Sequence, residues 1–181
     1  PFMADRTVDY ALEAGARLIG EAGAAMVKIE GAAPHILESI HALTERAMPV
    51  CAHLGLTPQS VHKFGGYKVQ GREHEAAERV LSEALAVQQA GANILVLEGV
   101  PTPLGERVTK AVDIPVIGIG AGPHCDGQVL VIYDMLGITP GKRPKFSKDF
   151  LAGRSSVQEA IAAYVADVRS GAFPAAEHGY N

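Results

Sequence analysis

The sequence predicts an α/β domain of the (β/α) barrel type, and three observations predict it. Short apolar runs alternate with longer segments of helical periodicity, the pattern of βαβ units and a parallel sheet. Residues capable of chemistry recur at the ends of several of these runs, where a barrel builds its active face from the loops after the strands. Two stretches also echo each other, M-V-K-I-E-G at 26–31 and I-L-V-L-E-G at 94–99. Each is an apolar run ending in glutamate, and each follows an Ala-Gly-Ala.

The elements follow in order. Residues 5–22 carry apolar side chains at helical spacing, with Thr7 or Asp5 as the cap. A strand is expected over 25–29, then a helix over 34–47 with Ile36, Leu37, Ile40 and Leu43 on its apolar face. Residues 49–54 form a second strand, and Thr57-Pro58 reads as an N-cap with proline at the first helical position. The run F-G-G-Y-K-V-Q-G-R at 64–72 is a glycine-punctuated basic loop. A long helix spans 73–90, a strand 93–97, a helix 103–111 and a strand 115–119. A glycine-rich turn covers 118–127, a further apolar run over 128–135 reads as a strand, and 137–144 is a loop. A last helix spans 155–169, with a tail from about residue 172. No composition break divides residues 1–181, so a single domain is expected.

An eight-stranded barrel needs roughly 250 residues. The five strands of these 181 residues read as the last five, with the first roughly three lying upstream of Pro1, since the chain does not open on Met.

Composition narrows the function classes. The chain is 48% hydrophobic and 20% charged, with a net charge of -4 and the two signs interspersed, which argues against a nucleic-acid partner. No apolar run approaches the roughly 20 residues that span a bilayer, and no secretory signal pattern opens the chain. Cys51 and Cys125 are expected as free thiols of a cytoplasmic protein. No H-E-x-x-H, G-x-S-x-G or Walker loop is present.

The strand ends hold the candidates. Side chains two apart share a strand face, so Lys28 and Glu30 point the same way, and a buried run must justify that charge. Lys28 is suited to holding a carboxylate, polarising a carbonyl or forming a Schiff base; the simpler reading is an ion pair with Glu30. Glu30 is a hard oxygen donor suited to a divalent cation, although no aspartate stands at a neighbouring strand end. His53 reads as an acid, a base or a donor, or as a satisfied core histidine. Glu98, partly desolvated at a strand end before Gly99, suits a general base, and equally suits capping or pairing. Gly118 and Gly120 lie in G-I-G-A-G, which is not the dinucleotide fingerprint; it serves anion binding through N–H groups or simple close packing. The 64–72 loop has the composition of a lid, with Gly65, Gly66 and Gly71 as hinges and Tyr67, Lys68 and Arg72 as contacts, or that of a surface connection.

Six segments in register carry a resemblance: M-V-K-I-E-G, P-V-C-A-H-L-G-L-T-P-Q-S, F-G-G-Y-K-V-Q-G-R, L-V-L-E-G-V-P, I-P-V-I-G-I-G-A-G and C-D-G-Q-V-L-V. Together they resemble the ketopantoate (3-methyl-2-oxobutanoate) hydroxymethyltransferase family over essentially the whole chain. The resemblance implies a (β/α)8 TIM barrel of the phosphoenolpyruvate/pyruvate superfamily, assembled as a homo-oligomer, usually a decamer. It implies transfer of a one-carbon unit from 5,10-methylenetetrahydrofolate to 3-methyl-2-oxobutanoate, giving 2-dehydropantoate in pantothenate biosynthesis, with Mg2+ as the metal. By the same resemblance Glu98 is the base that removes the C3 proton, Lys28 binds substrate and Glu30 is a metal-site acid. His53, Gly118 and Gly120 fall near the active site. The family's two metal-binding aspartates match positions upstream of Pro1, so these 181 residues alone are not expected to complete the site. The alternatives are a Mg2+-dependent lyase or mutase of the same superfamily acting on another 2-oxo acid, and an inactive barrel fragment.

Overall fold

The parallel strand run is the backbone of the molecule. The computed structural model describes residues 3–181; Pro1 and Phe2, where the expectation of upstream strands begins, lie outside them. Five strands form one sheet in the order β1-β2-β3-β4-β5, every pair parallel. They are β1 Val27–Glu30, β2 Val50–Gly55, β3 Ile94–Glu98, β4 Val116–Ile119 and β5 Gly127–Gln128. The helices are α1 Val8–Gly20, α2 Pro34–Thr44, α3 Val61–Phe64, α4 His74–Gln89, α5 Thr102–Ala111, α6 Ile132–Met135 and α7 Val157–Ser170. Spatial order equals chain order: helices link β1 to β2, β2 to β3 and β3 to β4, and a turn without a helix joins β4 to β5.

Alternation along each strand divides the sheet into two unlike faces. Val27, Ile29, Val50, Leu54, Leu95 and Leu97 turn to one side and are buried in a core with α2, α4 and α5 residues such as Ile40, Val87 and Val108. Fully burying one such leucine contributes about 1.5–3 kcal/mol. The opposite face carries Lys28, Glu30, Cys51, His53, Val96 and Glu98. Of these only His53 is buried. Lys28, Glu30, His53 and Glu98 therefore share the face that these helices do not cover, whereas Gly118 pairs with core-facing Leu97.

Capping residues set the ends of two long helices. Thr7, not Asp5, caps α1: its Oγ1 accepts from the Tyr10 N–H at 3.3 Å. Ser156 Oγ accepts from the Glu159 N–H at 3.2 Å, and the Glu159 carboxylate accepts from the Ser155 N–H at 2.9 Å. Ser156→Ala is expected to lower stability by about 1 kcal/mol, read as a lower urea midpoint at unchanged slope.

The strand expected over 128–135 is a misassignment. Pairing with β4 stops at Gln128, and residues 132–135 form α6 instead. Neighbouring Asp134 and Met135 are both buried, which an alternating strand does not allow but a helical turn does. A short apolar run does not distinguish the two by composition.

The tail expected from about residue 172 is packed. Phe173 is buried in a second apolar cluster with Leu130, Met135, Phe150 and Ala160. Phe150 meets Tyr164 and Phe173 edge-on, each at 5.3 Å between ring centroids. The Tyr164 hydroxyl donates to the Gln128 carbonyl at 2.8 Å, and burial pushes this phenol up to about 12. Ala176–His178 makes one 3-10 turn, and the chain then runs to the start of α5. No helix among the described residues is long and apolar enough to cross a membrane.

Candidate active site

The site grows out of strand register. Parallel pairing sets Lys28 beside Cys51, Glu30 beside His53, and Gly55 beside Glu98. Because these residues share a face, three strands bring two carboxylates, an ammonium and an imidazole together at the C-terminal edge of the sheet.

His53 is the hub, with its side chain only 2% exposed. Its Nδ1 lies 3.3 Å from Lys28 Nζ and 3.9 Å from Glu30 Oε1. Its Nε2 lies 3.1 Å from Glu98 Oε2. A lysine ammonium only donates, so Nδ1 accepts and the imidazole proton sits on Nε2, facing Glu98. That N–H is not aligned with the carboxylate: Nε2 is buried and makes no hydrogen bond of proper angle, despite the short separation. His53 is thus no ordinary core histidine but a buried link among three charged groups. His53→Ala is expected to cost about 2–3 kcal/mol in denaturant unfolding, because it opens a cavity where a fully buried side chain is removed.

The internal ion pair between Lys28 and Glu30 is replaced by these contacts. Lys28 turns to His53, and Glu30 Oε2 accepts the Gln59 N–H at 3.0 Å. Glu30 therefore ties β1 to the 3-10 turn Pro58–Ser60, where Thr57-Pro58 opens the short helix. Cys51 stands next to Lys28 on the same face; burial pushes its thiol up, with Lys28 opposing.

Backbone closeness explains two glycines. Gly55 has φ +85°, and a Cβ there would lie 2.2 Å from the Glu98 carbonyl oxygen. Gly120, at φ +63°, meets the Phe146 ring, whose nearest atom would be 2.8 Å from a Cβ. A Cβ on Gly118 would lie 2.9 Å from Cys125 Sγ. Gly118 and Gly120 thus serve close packing of the turn after β4.

The 64–72 loop is fastened at its far end, where the Gln70 N–H donates to the Gly99 carbonyl at 2.8 Å. Tyr67, expected as a contact, is 79% exposed. Beside Glu30 a cavity of about 610 Å³ opens between α2, α3 and α4, and its wall includes neither His53 nor Glu98. Burial pushes up the Glu83 carboxyl in that wall, against Arg79 and Lys63.

Among the described residues no three His, Cys, Asp or Glu side chains converge as a metal shell. Glu30 brings one carboxylate, with one oxygen taken by Gln59 and the Lys28 cation close by through His53. Magnesium takes about six oxygen ligands. These residues by themselves do not fit the ion that the resemblance implies.

What the cluster can do is move a proton. A carboxylate at a strand end beside a buried imidazole has the chemistry of a general base, and an ammonium two strands away has that of an anchor for an anion. Comparison with known proteins shows the family. The ketopantoate hydroxymethyltransferase family model matches residues 1–176. The chain belongs to that family. It is 54% identical over 180 residues to the 3-methyl-2-oxobutanoate hydroxymethyltransferase of Alkalilimnicola ehrlichii, covering 99% of this chain and 65% of that protein. It is 56% identical over 181 residues to 3-methyl-2-oxobutanoate hydroxymethyltransferase 2 of Hahella chejuensis, covering all of this chain and 68% of that protein. An Escherichia coli enzyme of the first name is also 56% identical over 181 residues. The chain spans about two thirds of the length of these curated relatives.

Membership in the ketopantoate hydroxymethyltransferase family agrees with the parallel sheet, whose five strands and helix-covered outer face resemble part of a TIM barrel. One contributor to the site escaped the sequence reading: the Gln59 N–H is a backbone group, invisible in a residue pattern.

Proposed function

We propose that the full-length protein is a 3-methyl-2-oxobutanoate hydroxymethyltransferase, carrying a one-carbon unit from 5,10-methylenetetrahydrofolate to the 2-oxo acid in pantothenate biosynthesis. The observation that carries this reading is the placement of Glu98, Lys28 and Glu30 around His53 on one sheet face, in a chain of that family.

The chemistry follows from these side chains. The C3 hydrogen of the 2-oxo acid is weakly acidic because the neighbouring ketone accepts the electron pair as an enolate. The Glu98 carboxylate takes that proton, with the His53 imidazole 3.1 Å from it. The Lys28 ammonium holds the substrate carboxylate. The donor's methylene carbon exchanges both of its carbon–nitrogen bonds, one for the bond to the enolate carbon and one for the hydroxyl that water supplies, and the two nitrogens take up the proton from C3 and the remaining proton of water. The products are 2-dehydropantoate and tetrahydrofolate. Of these side chains only Glu30 is suited to a divalent cation, as one ligand among the several that Mg2+ requires.

In this reading the five strands are part of an eight-stranded barrel of the phosphoenolpyruvate/pyruvate superfamily, with the roughly three remaining strands joining the free edges of β1 and β5. The uncovered face that bears the site supports it, since parallel sheets bury both faces. A cytoplasmic homo-oligomer, decameric by resemblance, completes the picture. Partly exposed Val157, Ile161 and Val165, spaced four apart along α7, support association.

Incubation of the full-length protein with 3-methyl-2-oxobutanoate, methylenetetrahydrofolate and Mg2+ is expected to yield 2-dehydropantoate. Cleavage of a 2-hydroxy acid without folate would point instead to a lyase. Lys28→Met is expected to raise KM for the 2-oxo acid about tenfold or more with a smaller change in kcat; an unchanged KM would remove Lys28 as the anchor.

A further inference from the structure

We propose that His53 is a second catalytic residue, whose Nε2–H donates to the ketone oxygen of the bound 2-oxo acid as the C3 proton leaves. The inference rests on the reading of Glu98 as the base and gives His53 a role which that reading leaves open.

One unpartnered atom carries it. His53 Nε2 is buried and makes no hydrogen bond among the described residues, and the side chain is only 2% exposed. Its proton is fixed from the far side of the ring. Lys28 Nζ stands 3.3 Å from Nδ1, and an ammonium only donates, so Nδ1 accepts and Nε2 carries the hydrogen. A buried donor without a partner is costly and rare in native proteins. A leucine would fill the position without that cost.

The surroundings of the atom identify its partner. Glu98 Oε2 lies 3.1 Å away but out of line for a hydrogen bond. The Glu98 side chain is itself partly exposed on the uncovered face of the sheet, so a turn of this carboxylate as substrate enters bares the N–H beside the base. Catalytic hydrogen bonds commonly align only in the substrate complex.

Strand order fixes the sequence of groups across the face. Lys28 on β1, His53 on β2 and Glu98 on β3 stand on adjacent strands. A 2-oxo acid carries its carboxylate, its ketone and its C3–H in the same order along the carbon chain. Lys28 has further N–H groups for the carboxylate, and Glu98 takes the C3 proton, which leaves the ketone oxygen for His53. Ketone and C3–H sit on neighbouring carbons, so the donor to one and the acceptor of the other must stand side by side, as Nε2 and Oε2 do. As the proton moves to Glu98, the electron pair of the C3–H bond becomes the C2–C3 double bond and the ketone pair moves onto oxygen. A fixed donor aimed at that developing charge binds the transition state more tightly than the ground state. A glutamate base beside an imidazole that donates to the carbonyl is a known solution to enolisation.

The test is deuterium exchange at C3 of 3-methyl-2-oxobutanoate, without a one-carbon donor, in the full-length protein with His53→Leu and His53→Gln. Leucine fills the space and cannot donate, whereas the glutamine amide carries an N–H close to the position of Nε2. Exchange is expected to slow about 10²–10³-fold in His53→Leu and to stay within about tenfold of wild type in His53→Gln. A wild-type rate in His53→Leu, or equal losses in the two variants, overturns the role of the donor. A second measurement needs no folded leucine variant. In wild-type protein labelled with 15N-histidine, the His53 Nε2–H resonance, identified by its absence in His53→Gln, is expected to shift when 3-methyl-2-oxobutanoate is added alone. An unmoved resonance means that the N–H pairs with something other than substrate and overturns the proposal. Exchange that depends on His53 in a protein that forms no 2-dehydropantoate with methylenetetrahydrofolate overturns the hydroxymethyltransferase reading and leaves the donor standing. Product formation with unimpaired exchange in His53→Leu does the reverse.

Discussion

Replacing Glu98 with Gln in the full-length protein is expected to cut kcat by about 10²–10⁴-fold while leaving the fold intact, because the variant keeps the shape of the side chain but loses the base. The substitution is informative because of where Glu98 sits. Its side chain is 13% exposed, at the end of β3, with Oε2 3.1 Å from His53 Nε2. An amide fills the same space, and no hydrogen bond of the Glu98 side chain is lost among the described residues, so stability is expected to change little. A fall in kcat with an unchanged circular-dichroism spectrum and unfolding midpoint assigns proton abstraction to Glu98. Near wild-type kcat would place the base elsewhere and leave Glu98 as a partner of His53.

Gly55→Ala is expected to destabilise the protein by about 3 kcal/mol and to cut activity by about 10²-fold, though residue 55 carries no reacting group. Two costs combine. The backbone at φ +85° disfavours any Cβ, and that Cβ would lie 2.2 Å from the Glu98 carbonyl oxygen. The same carbonyl accepts the Leu56 N–H at 2.8 Å, so the strand pair must part where the base is mounted. Gly31→Ala is the control. It shares the unusual backbone at φ +91° but has no atom within 4 Å of a Cβ. Only the conformational cost of about 1 kcal/mol is expected there. Equal effects in the two variants, measured by urea unfolding, would show that crowding at Glu98 contributes nothing.

The sequence made much of this architecture legible, for identifiable reasons. β1 to β4 were visible because each is a short apolar run between glycine, proline and capping residues, and α4 because its helical period runs for many turns. The run after the glycine-rich turn was not, because V-L-V-I-Y satisfies strand propensity while the burial of adjacent Asp134 and Met135 selects a helical turn. In the site, the period-two rule placed Lys28 and Glu30 on one face correctly. It carried no information about which partner each would choose, because partners come from strand register. Register sets Glu30 beside His53 and Gly55 beside Glu98, turning two local glutamates into one cluster. Strand alternation predicts which residues share a face; long-range pairing decides which of them touch.

The most direct test of the central claim is solvent deuterium exchange at C3 of 3-methyl-2-oxobutanoate, followed by NMR with the full-length protein and no one-carbon donor. It isolates proton abstraction from every later step. Loss of the C3 proton signal with the wild-type protein, abolished by Glu98→Gln, is the predicted result. Exchange that proceeds equally in both proteins would contradict the assignment of this cluster as the site of proton abstraction.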